Sequence, residues 1–105
     1  MNADEQSLTR LVDQVVGDLG PVERTEASGA TELRVGERLF AVLGDGWLDV
    51  ALDAAVAAAA RRTPDVDRSD RGPGWVRFRP TMLDQFSADR AEAWLRSAHR
   101  RVATD

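Results

Sequence analysis

The chain contains no cysteine, which excludes a disulfide framework, a cysteine-ligated zinc knuckle and a thiol nucleophile together. Its stability has to come from packing alone. Lysine is absent as well: all 14 basic residues are arginine, and with the abundance of alanine this reads as the composition of a GC-rich genome. The single histidine, His99, would have to carry any histidine-based metal site or Ser-His-Asp triad unaided. It sits off the main apolar line of its segment, as a boundary or surface residue. The longest apolar run, "AAVAAAA" at 54–60, falls far short of the roughly 20 residues that cross a bilayer. The acidic start "MNADEQ" lacks the basic and apolar regions of a signal peptide. No membrane association is expected, and a cytoplasmic location is.

The usual catalytic motifs are missing too. No GxSxG, HExxH, P-loop or dinucleotide-binding glycine pattern occurs, because Gly29, Gly36, Gly44 and Gly46 separate short alternating runs, as hairpin turns do. "DVDRSDRG" at 65–72 places Asp65, Asp67 and Ser69 like ligands of a calcium loop. Such a loop needs glycine where Asp70 stands and a bidentate glutamate where Val76 stands. The expectation is a protein with no metal, no cofactor and no catalytic residues.

What is present is a composition suited to one domain spanning 1–105. The chain has 105 residues, 43% hydrophobic and 30% charged, with a formal net charge of -4, enough for a single hydrophobic core. The charge is uneven. Residues 1–60 hold 11 acids against 4 arginines, whereas 61–105 hold 7 acids against 10 arginines. Such asymmetry marks either an anion-binding face or two halves that neutralise one another when folded.

Leu8, Leu11, Val12, Val15, Val16 and Leu19 recur at helical spacing, with Asp4 and Glu5 suited to the N-terminus and Gly20–Pro21 to the stop. From Val22 to Asp53 the pattern becomes short alternating runs, a β-meander whose strand order follows chain order. Gly36–Glu37 fits a two-residue hairpin and Gly44–Asp45–Gly46 a three-residue one. Asp53 is placed to cap a short alanine helix reaching Arg62, and "DVDRSDRGPG" reads as a loop before the strand "WVRFRP". Ser87 is the expected N-cap of a last helix whose buried stripe is Ala91, Trp94, Leu95, Ala98 and Val102. The fold class is therefore α+β: a single domain with an antiparallel meander sheet covered on one face by the N- and C-terminal helices.

"RGPGWVRFRP" at 71–80 carries three arginines. Alternation sends Val76 and Phe78 to the core and leaves Trp75, Arg77 and Arg79 on the opposite face. Guanidinium forks bind phosphates or carboxylates, and an indole beside them can stack on a base. This makes the strand a candidate platform for an anion or nucleic acid, with Arg61, Arg62, Arg68 and Arg71 as rim contacts. The alternative is internal: the arginines pair across strands with Glu32 and Asp49, at about 0.2–1 kcal/mol a pair, and Trp75 covers a sheet edge.

The succession of helix, "LGPVERTEAS", "ELRVGERLFAVLGDGWLDVALD", alanine helix, "GWVRFRP" and a helix ending "SAHRRVA" resembles the MmcQ/YjbR-like family of small bacterial proteins over nearly the whole chain. Arg38 to Phe40 stand where that family often has a "GK-F" strand, Gly74 to Val76 where it has a Trp-Val pair after a Pro/Gly loop, and Ala98 to Arg101 where its final helix ends in an aromatic residue followed by basic ones. The resemblance implies a curved, double-wing-like sheet, similar to modules of some transcription proteins, and hence a DNA-binding role. Two other classes stay open at this point. One is a protein-interaction or homodimerisation module using a sheet face or edge, the chain being a monomer or a homodimer. The other is a small-molecule-binding domain or minor enzyme, with a pocket between helix and sheet lined by Trp47 and Trp94.

Overall fold

The apolar stripe of the first segment is buried, with Leu8, Val12, Val15 and Val16 all nearly inaccessible to solvent. It forms α1 (Ala3–Asp18) in a computed structural model that describes residues 3–103, with side chains from Ser7 onward. The side chains of Asp4 and Glu5, expected at the N-terminus of this helix, lie outside the described residues. The meander follows as β1 (Glu23–Ala27), β2 (Ala30–Val35), β3 (Arg38–Gly44) and β4 (Trp47–Ala51), and the chain continues through α2 (Ala54–Ala60), β5 (Val66–Arg68), β6 (Trp75–Phe78) and α3 (Gln85–Ala103). All six strands join one antiparallel sheet in the order β1-β2-β3-β4-β6-β5.

The fold class is the one expected from the sequence, with the N- and C-terminal helices on one face of the sheet. Leu33, Leu48, Val50, Val76 and Phe78 point from the strands into a core shared with Val12 and Val15 of α1 and Ala91, Leu95 and Ala98 of α3. Trp94 completes it, edge-on to Phe78 at 5.5 Å between ring centroids, a favoured aromatic geometry. Leu33 pairs with Ala41 and Arg34 with Leu39, so Phe40 is an extra residue on β3. This bulge lets the sequence neighbours Phe40 and Ala41 both enter the core, where strict alternation would have sent one outward. Among the described residues no helix is long and apolar enough to cross a membrane.

Five local details differ from the sequence expectation. The β3–β4 turn has two residues, Asp45 and Gly46, because Gly44 stays in the ladder opposite Trp47. The segment 65–74 is not all loop: Val66, 6% exposed, enters the core, and Val66–Arg68 pairs with β6 as an edge strand. α2 ends at Ala60, where the Thr63 hydroxyl donates to the Ala60 carbonyl at 2.6 Å. Asp53 occupies its N-cap position without bonding through its side chain, and instead accepts from Arg101 Nε of α3 at 2.8 Å. Finally, α3 begins before Ser87. Asp84 Oδ1 accepts from the Ser87 backbone N–H at 2.8 Å, and the Asp84 N–H donates to Ser87 Oγ at 2.9 Å, a reciprocal capping box. The backbone N–H and hydroxyl of Ser87 hold the Asp84 carboxyl below its ordinary value.

The β5–β6 connection is also fastened to the residue that follows β4. The Leu52 N–H donates to the Gly74 carbonyl at 2.9 Å. Gly74 has φ +82°, and a Cβ there would fall on the Leu52 carbonyl oxygen. Only glycine satisfies both the conformation and the close approach. Gly74→Ala is expected to lower the unfolding free energy by about 2 kcal/mol or more, measured by chemical denaturation; an unchanged midpoint would show that the loop shifts freely.

Candidate anion-binding cleft

On β4, Leu48 and Val50 face the core, so Asp49 faces the other side of the sheet, yet it is 0% exposed. Its neighbours explain the burial. Across the ladder Asp49 stands between Val42 of β3 and Arg77 of β6. Arg77 donates through Nε to Oδ1 at 2.8 Å and through Nη2 to Oδ2 at 3.0 Å. From the loop after β5, Arg71 Nε donates to Oδ2 at 2.8 Å and Ser69 Oγ at 3.1 Å. The Arg77 guanidinium lies over the Trp47 ring at 4.0 Å, and Arg71 lies 5.9 Å from the centroid of Trp75, both within cation–π range. Trp47 in turn covers Gly44, where a Cβ would overlap the indole. A glycine at that position is therefore what lets the tryptophan lie flat beneath the guanidinium.

Burial alone would push the Asp49 carboxyl up. The hydrogen bonds from Arg77 and Arg71, the charge of Arg77 and the Ser69 hydroxyl outweigh it and hold the group below its ordinary value. The same bonds raise the Arg77 guanidinium further, so it stays charged. Of the two partners expected for the arginines, Asp49 is therefore engaged by both Arg71 and Arg77. Glu32 is not: it pairs with Arg34 of its own strand at 2.7 Å.

The arginines named from the sequence thus fall into two groups. Arg71 and Arg77 are committed to Asp49. Arg61, Arg62, Arg68 and Arg79 are exposed, and none forms a side-chain hydrogen bond or ion pair among the described residues. Trp75 and Arg77 share the outer face of β6 as expected, both half-buried, while Arg79 lies one residue beyond the strand end. Trp75 does not cover a sheet edge, because β5 lies outside β6.

Between α2 and the β5–β6 loop lies an open cleft of about 530 Å³. Ala54 and Ala57 of α2 line one side, Trp75 and the Gly72–Gly74 loop another, and Arg61 and Arg68 stand at it with Ser69 and Asp70. Of the seven residues proposed from the sequence, the structure brings Arg61, Arg68 and Trp75 to this cleft; Arg62 and Arg79 lie outside its lining, and Arg71 and Arg77 are held on Asp49. The alanines of α2, Ser69, Asp70 and the glycine loop were not foreseen as lining. The only signal for them was the "GPG" turn ahead of Trp75.

Trp47 and Trp94 do not line a common pocket, because Trp94 is in the core against Phe78 and Trp47 is on the opposite face beneath Arg77. His99 is half-buried against the edge of Phe40 at 5.5 Å, with a buried Nε2 that has no hydrogen-bond partner. No group of three or more metal-ligating side chains occurs among the described residues. The chain matches no known family model, no curated protein and no solved structure.

Asp49→Ala leaves two guanidiniums facing each other without their shared counter-ion. The expected loss is roughly 3 kcal/mol, at the low end for a broken buried pair because Arg71 and Arg77 keep about a third of their surface in water. The acid limb follows from the direction of the shift. The folded-state pKa of Asp49 lies below the ordinary 3.8, so on acidification the unfolded chain takes up the proton first. The stabilisation is complete above that value and drains away as the pH falls through the folded-state pKa. Denaturation profiles of the native chain and Asp49→Asn should therefore converge at low pH; parallel profiles would refute this account.

Proposed function

We propose that the chain is a non-catalytic binding domain for an anionic partner, nucleic acid being the class that the geometry supports best. One observation carries this reading: Arg61, Arg62, Arg68 and Arg79 present free guanidiniums around α2 and the β5–β6 end of the sheet, beside a half-buried tryptophan at an open cleft. Arg34 is held by Glu32 and Arg71 and Arg77 by Asp49, whereas these four form no side-chain bond among the described residues and are free to neutralise phosphate. The resemblance to the MmcQ/YjbR-like family supports DNA as the partner and the cytoplasm of a bacterium as the setting, and membership of that family is part of the proposal. The recognition surface is then the cleft and its rim, and not the centre of β6, where the Arg77 fork is already filled by Asp49.

A second reading, a protein-interaction or homodimerisation module, rests on a different observation. Met82, three residues before α3, and Phe86, in its first turn, are 69% and 73% exposed. The edge strand β1 is a poorer candidate for such contact, since its exposed Glu23, Arg24 and Glu26 blunt strand addition. Light scattering at high protein concentration checks self-association directly: a monomer throughout removes the homodimer.

The nucleic-acid reading is tested by anisotropy titration of a labelled single-stranded oligonucleotide across a salt series. With two to four phosphates neutralised, the slope of log K against log salt should lie between about -1.4 and -2.8. Replacing Arg61 and Arg68 together by alanine should weaken binding about tenfold or more, with an unaltered circular dichroism spectrum. No detectable binding at low ionic strength would end the proposal.

A further inference from the structure

Resting on the nucleic-acid reading and sharpening it, we propose that the cleft between α2 and the β5–β6 loop takes one unpaired nucleotide. Its base lies against Trp75 and its phosphate lies between Arg61 and Arg68, so that the domain selects single strands over duplex.

The dimensions are the first support. A cleft of about 530 Å³ is within the range that encloses a small organic ligand, and a base held inside a duplex stack cannot enter it. Only an unpaired or extruded base reaches an indole set in the wall of a cleft.

The second support is charge. The chain carries a formal net charge of -4, so its overall field repels a polyanion, and duplex binding by phosphate contacts alone would need a long array of free cations. The cleft offers two, Arg61 and Arg68, together with the apolar side chains of Ala54, Ala57 and Trp75. That combination suits a ligand presenting one phosphate and one aromatic plane, with stacking supplying attraction that the electrostatics do not. Asp70 also lines the cleft. Its carboxylate accepts from a base amino group and opposes a second phosphate, which favours one nucleotide unit over a polyphosphate chain.

The third support is preorganisation. Trp75 is held at both backbone groups: its N–H donates to the Gly72 carbonyl at 3.2 Å and its carbonyl accepts from Ser69 N–H at 3.1 Å. Arg71, anchored on Asp49, lies 5.9 Å from its ring centroid. The strand ladder places Trp75 opposite Ala51, and the Gly74–Leu52 hydrogen bond ties the loop down. An aromatic side chain fixed in this way before binding loses little freedom when a base stacks on it.

The experiment uses the full chain with a fluorescein-labelled octanucleotide of mixed sequence, once as a single strand and once as its blunt duplex. Dissociation constants come from anisotropy, and indole quenching is followed with unlabelled strands. The single strand should bind at least about tenfold more tightly than the duplex and quench tryptophan emission. Trp75→Phe should keep most of the affinity and lose most of the quenching, since phenylalanine still stacks. Trp75→Leu should lose about tenfold in single-strand affinity and little in duplex affinity. Arg68→Ala, at an exposed position, gives a second reading should Trp75→Leu fold poorly, and it should weaken single-strand binding several-fold. Equal affinity for the two forms, or quenching that survives in Trp75→Phe, overturns the inference while leaving the nucleic-acid reading standing. Binding of neither form overturns both.

Discussion

Asp49 organises the outer face of the sheet. A carboxylate with no exposure to water is tolerated only when its lone pairs are filled, and here two arginines and a serine fill them from two adjoining pieces of the chain: β6 and the loop that leads into it. The carboxylate therefore joins β4 to a segment 20 to 28 residues further along the chain. It also fixes register. The side-chain period of a strand is two, so sliding β4 by one residue against β6 would turn Asp49 into the hydrophobic core and Leu48 or Val50 outward. That slip would place an unpaired charge among Phe78, Val76 and Leu95, a far greater penalty than the loss of a surface ion pair. Buried ion pairs add uncertain amounts to stability, but one placed in a ladder discriminates strongly among alternative pairings.

The gathering of arginines near residues 71–80 in an acidic protein then has a structural explanation. Arg71 and Arg77 are there to meet Asp49, and each also lies near a tryptophan, Trp75 and Trp47 respectively. Arginine suits this arrangement better than lysine, because a planar fork can hold a carboxylate edge-on and still present a face to an indole. Gly44 belongs to the same unit, since without its bare backbone Trp47 would be lifted away from the sheet. Of the arginines named from the sequence, Arg61, Arg62, Arg68 and Arg79 are the ones whose exposed side chains form no bond among the described residues.

Much of this was legible in the order of residues. The stripes of α1 and α3 are long enough for a 3.6-residue period to stand out, and the β2–β3 hairpin is marked by the Gly36–Glu37 turn. Alternation within "WVRFRP" correctly sent Val76 and Phe78 inward. Other features left no comparable trace. β5 has one buried residue, Val66, between polar neighbours, so no period exists to detect and the segment looks like loop. At the start of α3 the sequence pointed to Ser87 as the cap, and the structure instead bonds Asp84 and Ser87 reciprocally. The bulge at Phe40 was invisible because it is created by pairing with β2, not by a local preference. The cleft was hidden for a similar reason: Arg61 and Arg68 flank a short turn and β5, and only the return of the chain outside β6 brings them together with Trp75.

The separation between the two arginine sets has a consequence for the proposed site. A site whose binding groups also hold the fold together can change only at the expense of stability, whereas here the guanidiniums at the cleft have no internal partner to lose. Arg61 follows the last turn of α2 and Arg68 ends an edge strand, so neither is needed for core packing, and surface substitutions at such positions usually alter stability little. Trp75 joins the two sets. Its backbone belongs to the ladder and Arg71 lies over its ring, while the residue lines the cleft, so the rigidity created by Asp49 reaches the proposed binding surface through Trp75. Arg71 helps set where Trp75 stands, and on the proposed reading Arg61 and Arg68 decide what is held beside it.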